Sequence, residues 1–148
     1  MSLTVYNDGD EPLSYEEALH TYLQVGDAEQ SQVCGLEGTD YLDTVLDGDP
    51  RCSQGDEPVT FQGMVDRIYY SANTLELRDP VLKRTVVVSK QGAAQTVVWN
   101  PGEQAGNAIG DLDEANGAAS SAWKRSTIAI ARSSCLHTIR IRCSRSWL

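Results

Sequence analysis

From Ser31 to Gly102, turn residues cut the chain into short pieces at intervals of roughly ten positions. "SQVCGLEG" and "DYLDTVLDGD" are short apolar runs closed by glycine and aspartate. "VTFQGMVDRIYYSAN" alternates at Val59, Phe61, Gly63 and Val65 and ends in a Ser-Ala-Asn turn. "TLELRDP" and "RTVVVSKQG" read as two strands joined through Asp79-Pro80, and "QTVVWNPG" as another stopped by Asn-Pro-Gly. Ahead of them Leu3 to Tyr6 alternate, and Asn7-Asp8-Gly9-Asp10 reads as a tight turn. Short strands at this spacing predict an all-β sandwich. "GEQAGNAIGDLDEANG" reads as a short helix weakened by its glycines.

"LSYEEALHTYLQVGD" (13–27) admits two structures. Ser14 and Glu17 have the spacing of a helical capping box. Tyr15, Ala18, Leu19, Tyr22 and Leu23 recur on one helical face. As a strand, the same stretch puts Tyr15, Leu19 and Leu23 on one side and Ala18, His20 and Tyr22 on the other. A lone helix in a β-meander must find its own packing, whereas a strand extends the sheet. The residues alone leave both open.

Charge and cysteine content narrow the function. The chain has 148 residues, enough for one core, and a formal charge of −9. That charge argues against a nucleic-acid partner, since phosphate binding needs clustered Lys and Arg. All 21 acidic residues precede position 118, while residues 118–148 carry six basic residues and no acid. No apolar run is long enough to span a bilayer and the N-terminus lacks the layout of a signal peptide, so a cytoplasmic protein without a membrane partner is expected. Cys34, Cys52, Cys135 and Cys143 form no CxxC pair, and His20 and His137 are far apart. Free thiols in a reducing compartment are therefore expected, and no metal site.

Four phrases in order carry a family resemblance: "LTVYNDGDEPLSYEEALHTYLQVGD", "GLEGTDYLD", "FQGMVDRIYY" and "TVVWNPGEQA". Together they resemble the glucose-6-phosphate 1-epimerases (hexose-6-phosphate mutarotases), a branch of the aldose 1-epimerase, galactose mutarotase-like group, from about Leu3 to Gly117. The strongest motif is Ala18-Leu19-His20-Thr21-Tyr22 followed by Val65-Asp66-Arg67. The resemblance implies a large antiparallel β-sandwich in which the histidine segment is a strand. It implies interconversion of the α and β anomers of a hexose 6-phosphate, or a related sugar, with no cofactor. One group protonates the ring oxygen while another removes the proton from the C1 hydroxyl, and the roles reverse on closure. Histidine suits such work because its ordinary pKa is about 6.5. By resemblance His20 is the general acid, and Asp66 accepts hydrogen bonds from sugar hydroxyls. Arg67 either meets a phosphate or, more ordinarily, pairs with a surface acid. Trp99 and Asn100 resemble a structural Trp-Asn-Pro turn, and Gly102 stands where the family leads one to expect an aromatic. Tyr41, Tyr69 and Tyr70 either stack on sugar or, as strand aromatics more often do, fill the core.

Two parts of the pattern are missing. The chain starts near the middle of the family's sandwich, so the arginines expected to bind a 6-phosphate have no counterpart. Uncovered strand edges then invite self-association. The family's catalytic glutamate is also absent: after Gly117 the resemblance calls for Tyr-Arg-Arg-Phe-Val-Cys-Val-Glu-Ala, and "AASSAWKRSTIAIARSSC" stands instead. A shifted reading frame accounts for this. Trp123 has only the codon TGG and Lys124 only AAA or AAG, so one straddling triplet must read GAA, glutamate. With TCN serines, the preceding triplets allow Arg-Arg-Phe-Val-Cys-Val. Residues 1–117 are therefore expected to be a partial mutarotase-like domain, and 118–148 an aberrant, frameshifted and poorly packed tail. For function the competing reading is a non-catalytic carbohydrate-binding module or inactive remnant; for the tail it is a genuine basic segment that binds an acidic partner or the acidic body of the chain itself.

Overall fold

The computed structural model describes residues 3–102 and 127–139. Its strands are β1 (Leu13–Gln24), β2 (Gln32–Cys34), β3 (Asp40–Asp43), β4 (Arg51–Ser53), β5 (Val59–Thr60), β6 (Val65–Tyr69), β7 (Leu75–Asp79), β8 (Arg84–Val88), β9 (Gln95–Asn100) and β10 (Thr127–Ile139). They form two antiparallel sheets, one six-stranded in the order β1-β10-β9-β6-β3-β4 and one four-stranded in the order β5-β2-β7-β8. The expected all-β antiparallel sandwich is the observed fold.

Alternation decides which face each strand buries. In β7, Leu75 and Leu77 are buried while Glu76 and Arg78 are exposed. In β9, Thr96, Val98 and Asn100 are buried while Val97 and Trp99 are only half-buried. The core fills the space between the sheets: Val33, Val59, Leu75 and Leu77 from the smaller, and Tyr41, Val65, Tyr69, Val98, Ile128 and Ile130 from the larger. Leu36 and Phe61, from the connections, are equally buried. Each such side chain contributes about 1.5–3 kcal/mol relative to exposure.

The segment 13–27 is a strand. β1 pairs with β10 from Leu13↔Ile139 to Gln24↔Thr127, a long ladder that outweighs the capping-box and helical-face signals. Leu19 and Leu23 face inward and His20 faces out. Two expectations need correction. Leu3–Tyr6 is not a strand; Leu3 and Tyr6 are about half exposed, with no strand paired to them among the described residues. "VTFQGMVDRIYYSAN" is two strands, because Gly63 takes a φ of 89° and breaks the run between β5 and β6.

β10 belongs to the 118–148 segment for which the sequence predicts poor packing. It runs through the interior of the larger sheet, with Ile128, Ala129 and Ile130 buried. The 117/118 boundary, the helix expected in "GEQAGNAIGDLDEANG" and the Trp123–Lys124 junction lie outside the described residues.

One link between the sheets titrates. Lys90 donates from Nζ to the carbonyls of Ser71 (2.7 Å) and Gln95 (3.2 Å), and Thr96 Oγ1 donates to the same Ser71 carbonyl (3.0 Å). Burial pulls the Lys90 ammonium from 10.5 down to about 8. Below that value both folded and unfolded chains carry the proton and the burial penalty is fully present. Between about 8 and 10.5 the folded chain releases it first, so the unfolded chain binds more protons and stability rises with pH. The urea midpoint of the chain relative to Lys90→Met is therefore expected to improve from pH 8 to pH 10. A constant difference across that window excludes the assignment.

Candidate functional site on the outer face of the larger sheet

Facing residues in an antiparallel ladder project from the same side of the sheet. The register therefore sets a row across the larger sheet: Tyr22 on β1 opposite Ala129 on β10, Ala129 opposite Trp99 on β9, and Trp99 opposite Asp66 on β6. His20 shares Tyr22's face, one step along β1, in the row that continues through Val97 and Ile68. This is the face turned away from the core, since Val98, Tyr69 and Tyr41 occupy the other side. His20 and Asp66, distant in sequence, thus stand on one exposed surface. Three strand spacings separate them, roughly 14 Å between backbones at about 4.8 Å each.

Neither group is committed elsewhere among the described residues. His20 is exposed and makes one ring contact, with Tyr22, at 6.5 Å between centroids and 22° between planes. The Asp66 carboxylate makes no hydrogen bond or ion pair there. Its backbone carbonyl accepts from the Thr44 N–H and the Thr44 hydroxyl, both at 3.0 Å, which fixes the start of β6 against β3.

Arg67 projects from the opposite side of β6. It pairs with Asp43 at 3.3 Å, lies over the Tyr41 ring at 4.8 Å and reaches the Tyr69 hydroxyl at 3.5 Å. Tyr69 in turn donates to Gln54 Oε1 at 2.8 Å, and burial pushes its hydroxyl up to about 12. Arg67 is thus half-buried with an acid partner on the core side, and Tyr41 and Tyr69 are core. Tyr70 faces outward at the far edge, under Arg51, which pairs with Asp40.

The Trp-Asn-Pro turn divides its duties. Asn100 is buried and its Oδ1 accepts from the Gly102 N–H at 3.0 Å, so it shapes the turn. Gly102 has a φ of 65°, and a Cβ there would sit 2.7 Å from the Met64 nitrogen. An aromatic residue in its place would clash. Trp99, expected to be structural, instead projects from the outer face. Its ring meets Tyr22 edge to face, 6.2 Å between centroids and 86° between planes. Together they cover Ala129, which is 2% exposed although it lies on the outer side. Alternation in "QTVVWN" was the available signal, but with valine at both parities it does not say which face is inward.

A cleft of about 490 Å³ lined by Gln32, Arg78, Lys83 and Arg84 lies on the smaller sheet, away from this row. Its arginines are held by acids, Arg78 by Glu76 and Arg84 by Asp79. Cys34 and Cys52 are free thiols, the first pushed up by burial. Among the described residues no group of three or more His, Cys, Asp and Glu is placed to hold a metal ion.

The aldose 1-epimerase sequence profile matches residues 1–137. The protein named "Putative glucose-6-phosphate 1-epimerase" in Cenchrus ciliaris is 37% identical over 110 residues, covering 74% of this chain and 33% of its own length. The protein of the same name in Escherichia coli (strain K12) is 34% identical over 98 residues, covering 66% of this chain and 33% of its own. The chain therefore spans about a third of the length of the curated relatives it matches. The crystal structure of a "putative mutarotase" from Salmonella typhimurium superposes with a TM-score of 0.72 at 25% identity, over 84% of this chain and 39% of that one. A profile match over nearly the whole sequence, relatives above 30% identity and a shared sandwich agree: this chain belongs to the aldose 1-epimerase family.

Proposed function

We propose that the outer face of the larger sheet binds an aldose, with glucose 6-phosphate or a related hexose phosphate as substrate, and carries half of the acid–base pair that interconverts its anomers. The observation that carries this reading is the shared face of His20 and Asp66, both uncommitted among the described residues. Asp66 accepts hydrogen bonds from sugar hydroxyls and fixes the ring. His20, as imidazolium, gives a proton to the ring oxygen as the C1–O5 bond breaks. A base takes the proton from the C1 hydroxyl, leaving an open-chain aldehyde. Rotation about C1–C2 and closure from the other face give the second anomer. The family's base is a glutamate, and residues 118–148 contain no acid. Exchange by this chain is therefore slow, and that absence favours a second reading, a carbohydrate-binding remnant without activity.

The test is NMR exchange spectroscopy on the anomeric protons of glucose 6-phosphate, alongside a binding titration. Sugar binding is expected, with exchange close to the buffer rate. Asp66→Asn is expected to weaken binding about tenfold, the loss of one charged hydrogen bond of about 1.5 kcal/mol. His20→Gln is expected to leave binding intact and remove whatever exchange exceeds the buffer rate. A chain that binds no sugar overturns the proposal, and binding with exchange indistinguishable between the chain and His20→Gln selects the binding remnant.

No helix among the described residues is long and apolar enough to cross a membrane. The free thiols suit a reducing compartment, and we place the protein in the cytoplasm on that ground. The outer edge of β1, a twelve-residue strand paired on one side among the described residues, invites self-association.

A further inference from the structure

We propose that Trp99 and Tyr22 form an aromatic platform on which the carbon–hydrogen face of a hexopyranose rests between His20 and Asp66. The inference deepens the sugar-binding reading and rests on it. The register supplies the first argument. Trp99 is the direct neighbour of Asp66, and Tyr22 closes the same row two strands further on, so a ligand spanning from His20 to Asp66 must cross the indole.

The second argument is exposure. Val98 and Asn100 on either side of Trp99 are 0% and 3% exposed, facing the core, while the indole is presented outward. Tyr22 is 61% exposed, unusually open for a large aromatic in mid-strand. Among the described residues the rings' partners are one another: Tyr22 meets Trp99 edge to face across the small Ala129, and His20 stacks on Tyr22. Perpendicular planes make a corner, with one apolar face as floor and the other as wall.

Chemistry supplies the third. An aldohexopyranose is amphiphilic: hydroxyls radiate from its rim, while its axial C–H bonds make an apolar face. Aromatic faces carry the negative part of a quadrupole and attract such C–H groups, and their area is desolvated on contact. Acceptors for the rim are then needed at the ends of the platform, where Asp66 and His20 stand. Neither ring carries charge, so the platform engages the ring of glucose and of glucose 6-phosphate alike. It acts by positioning, holding the sugar with its anomeric centre toward His20.

Saturation-transfer NMR on the full chain with glucose 6-phosphate tests this. Irradiating the protein's aromatic protons is expected to transfer saturation to the sugar ring protons. Trp99→Ala is expected to cut that transfer severalfold and weaken binding about tenfold, and Trp99→Phe to recover most of both. Tyr22→Ala removes an exposed side chain and is expected to weaken binding several-fold with the thermal transition unchanged; it decides the matter if Trp99→Ala does not fold. Normal binding and transfer in Trp99→Ala, or in Tyr22→Ala where the first is unfolded, overturns the platform alone. A parent chain that binds neither glucose 6-phosphate nor glucose overturns the platform together with the reading beneath it.

Discussion

A chain in which residues 118–125 are replaced by Arg-Arg-Phe-Val-Cys-Val-Glu-Ala is expected to interconvert the anomers of glucose 6-phosphate faster than the unaltered chain by a factor on the order of 10²–10⁴. The GAA triplet across Trp123 and Lys124 is forced by their codons, and the shifted frame returns an acid to a stretch with none. Ring opening needs a proton delivered at O5 and another removed at O1. On the proposed reading, His20 without a partner leaves water to serve as base, which forfeits one member of the pair. A positioned carboxylate restores it, and a general acid or base typically contributes a factor of this size. The gain should vanish when His20→Gln is added to the repaired chain, because each group acts on the proton the other cannot reach. Anomeric exchange followed by polarimetry or NMR reads both. A repaired chain no faster than the parent sinks the frameshift account, as does resequencing that finds an intact frame with serine codons other than TCN.

Turn chemistry placed β7, β8 and β9 nearly as observed, because Asp79-Pro80 and Asn-Pro-Gly dictate local backbone geometry. β4 (Arg51–Ser53) gave no signal, since a short edge strand of Arg-Cys-Ser has no apolar alternation to read. β1 was ambiguous, as its helical face is real in sequence and only the ladder to β10 overrules it. His20 and Asp66 came from a motif, and the sheet register is what sets them on one face. Arg67 was separable from Asp66 by parity alone, since adjacent strand residues project oppositely. The outward projection of Trp99 was not legible, because it depends on which side of β9 the smaller sheet covers, and that is a property of the fold.

Asp79→Ala is expected to destabilise the chain by about 2–3 kcal/mol, the cost of taking a shared acceptor from two part-buried donors. Asp79 lies at the end of β7 with its side chain fully buried. Its Oδ2 accepts from the Gly26 N–H at 3.1 Å, just beyond β1, and its Oδ1 accepts from the Leu82 N–H at 3.0 Å in the β7–β8 turn. One carboxylate thus ties the larger sheet's edge strand to a hairpin of the smaller sheet. Arg84 pairs with it at 3.6 Å and also donates to the Gln24 carbonyl. That arginine is 46% exposed and finds water when unpaired, so little of the cost comes from the ion pair. Most comes from the part-buried N–H groups of Gly26 and Leu82, which lose their shared carboxylate acceptor. Asp79→Asn, which keeps one acceptor oxygen, is expected to cost about half as much. Urea denaturation measures the loss, and amide exchange locates it. In Asp79→Asn, protection should fall first at Leu23 and Val25, near the clamp, before it falls at Tyr41 or Tyr69. A loss below about 1 kcal/mol in Asp79→Ala, or uniform exchange across both sheets in Asp79→Asn, would show that β1 is held by its ladder to β10 alone.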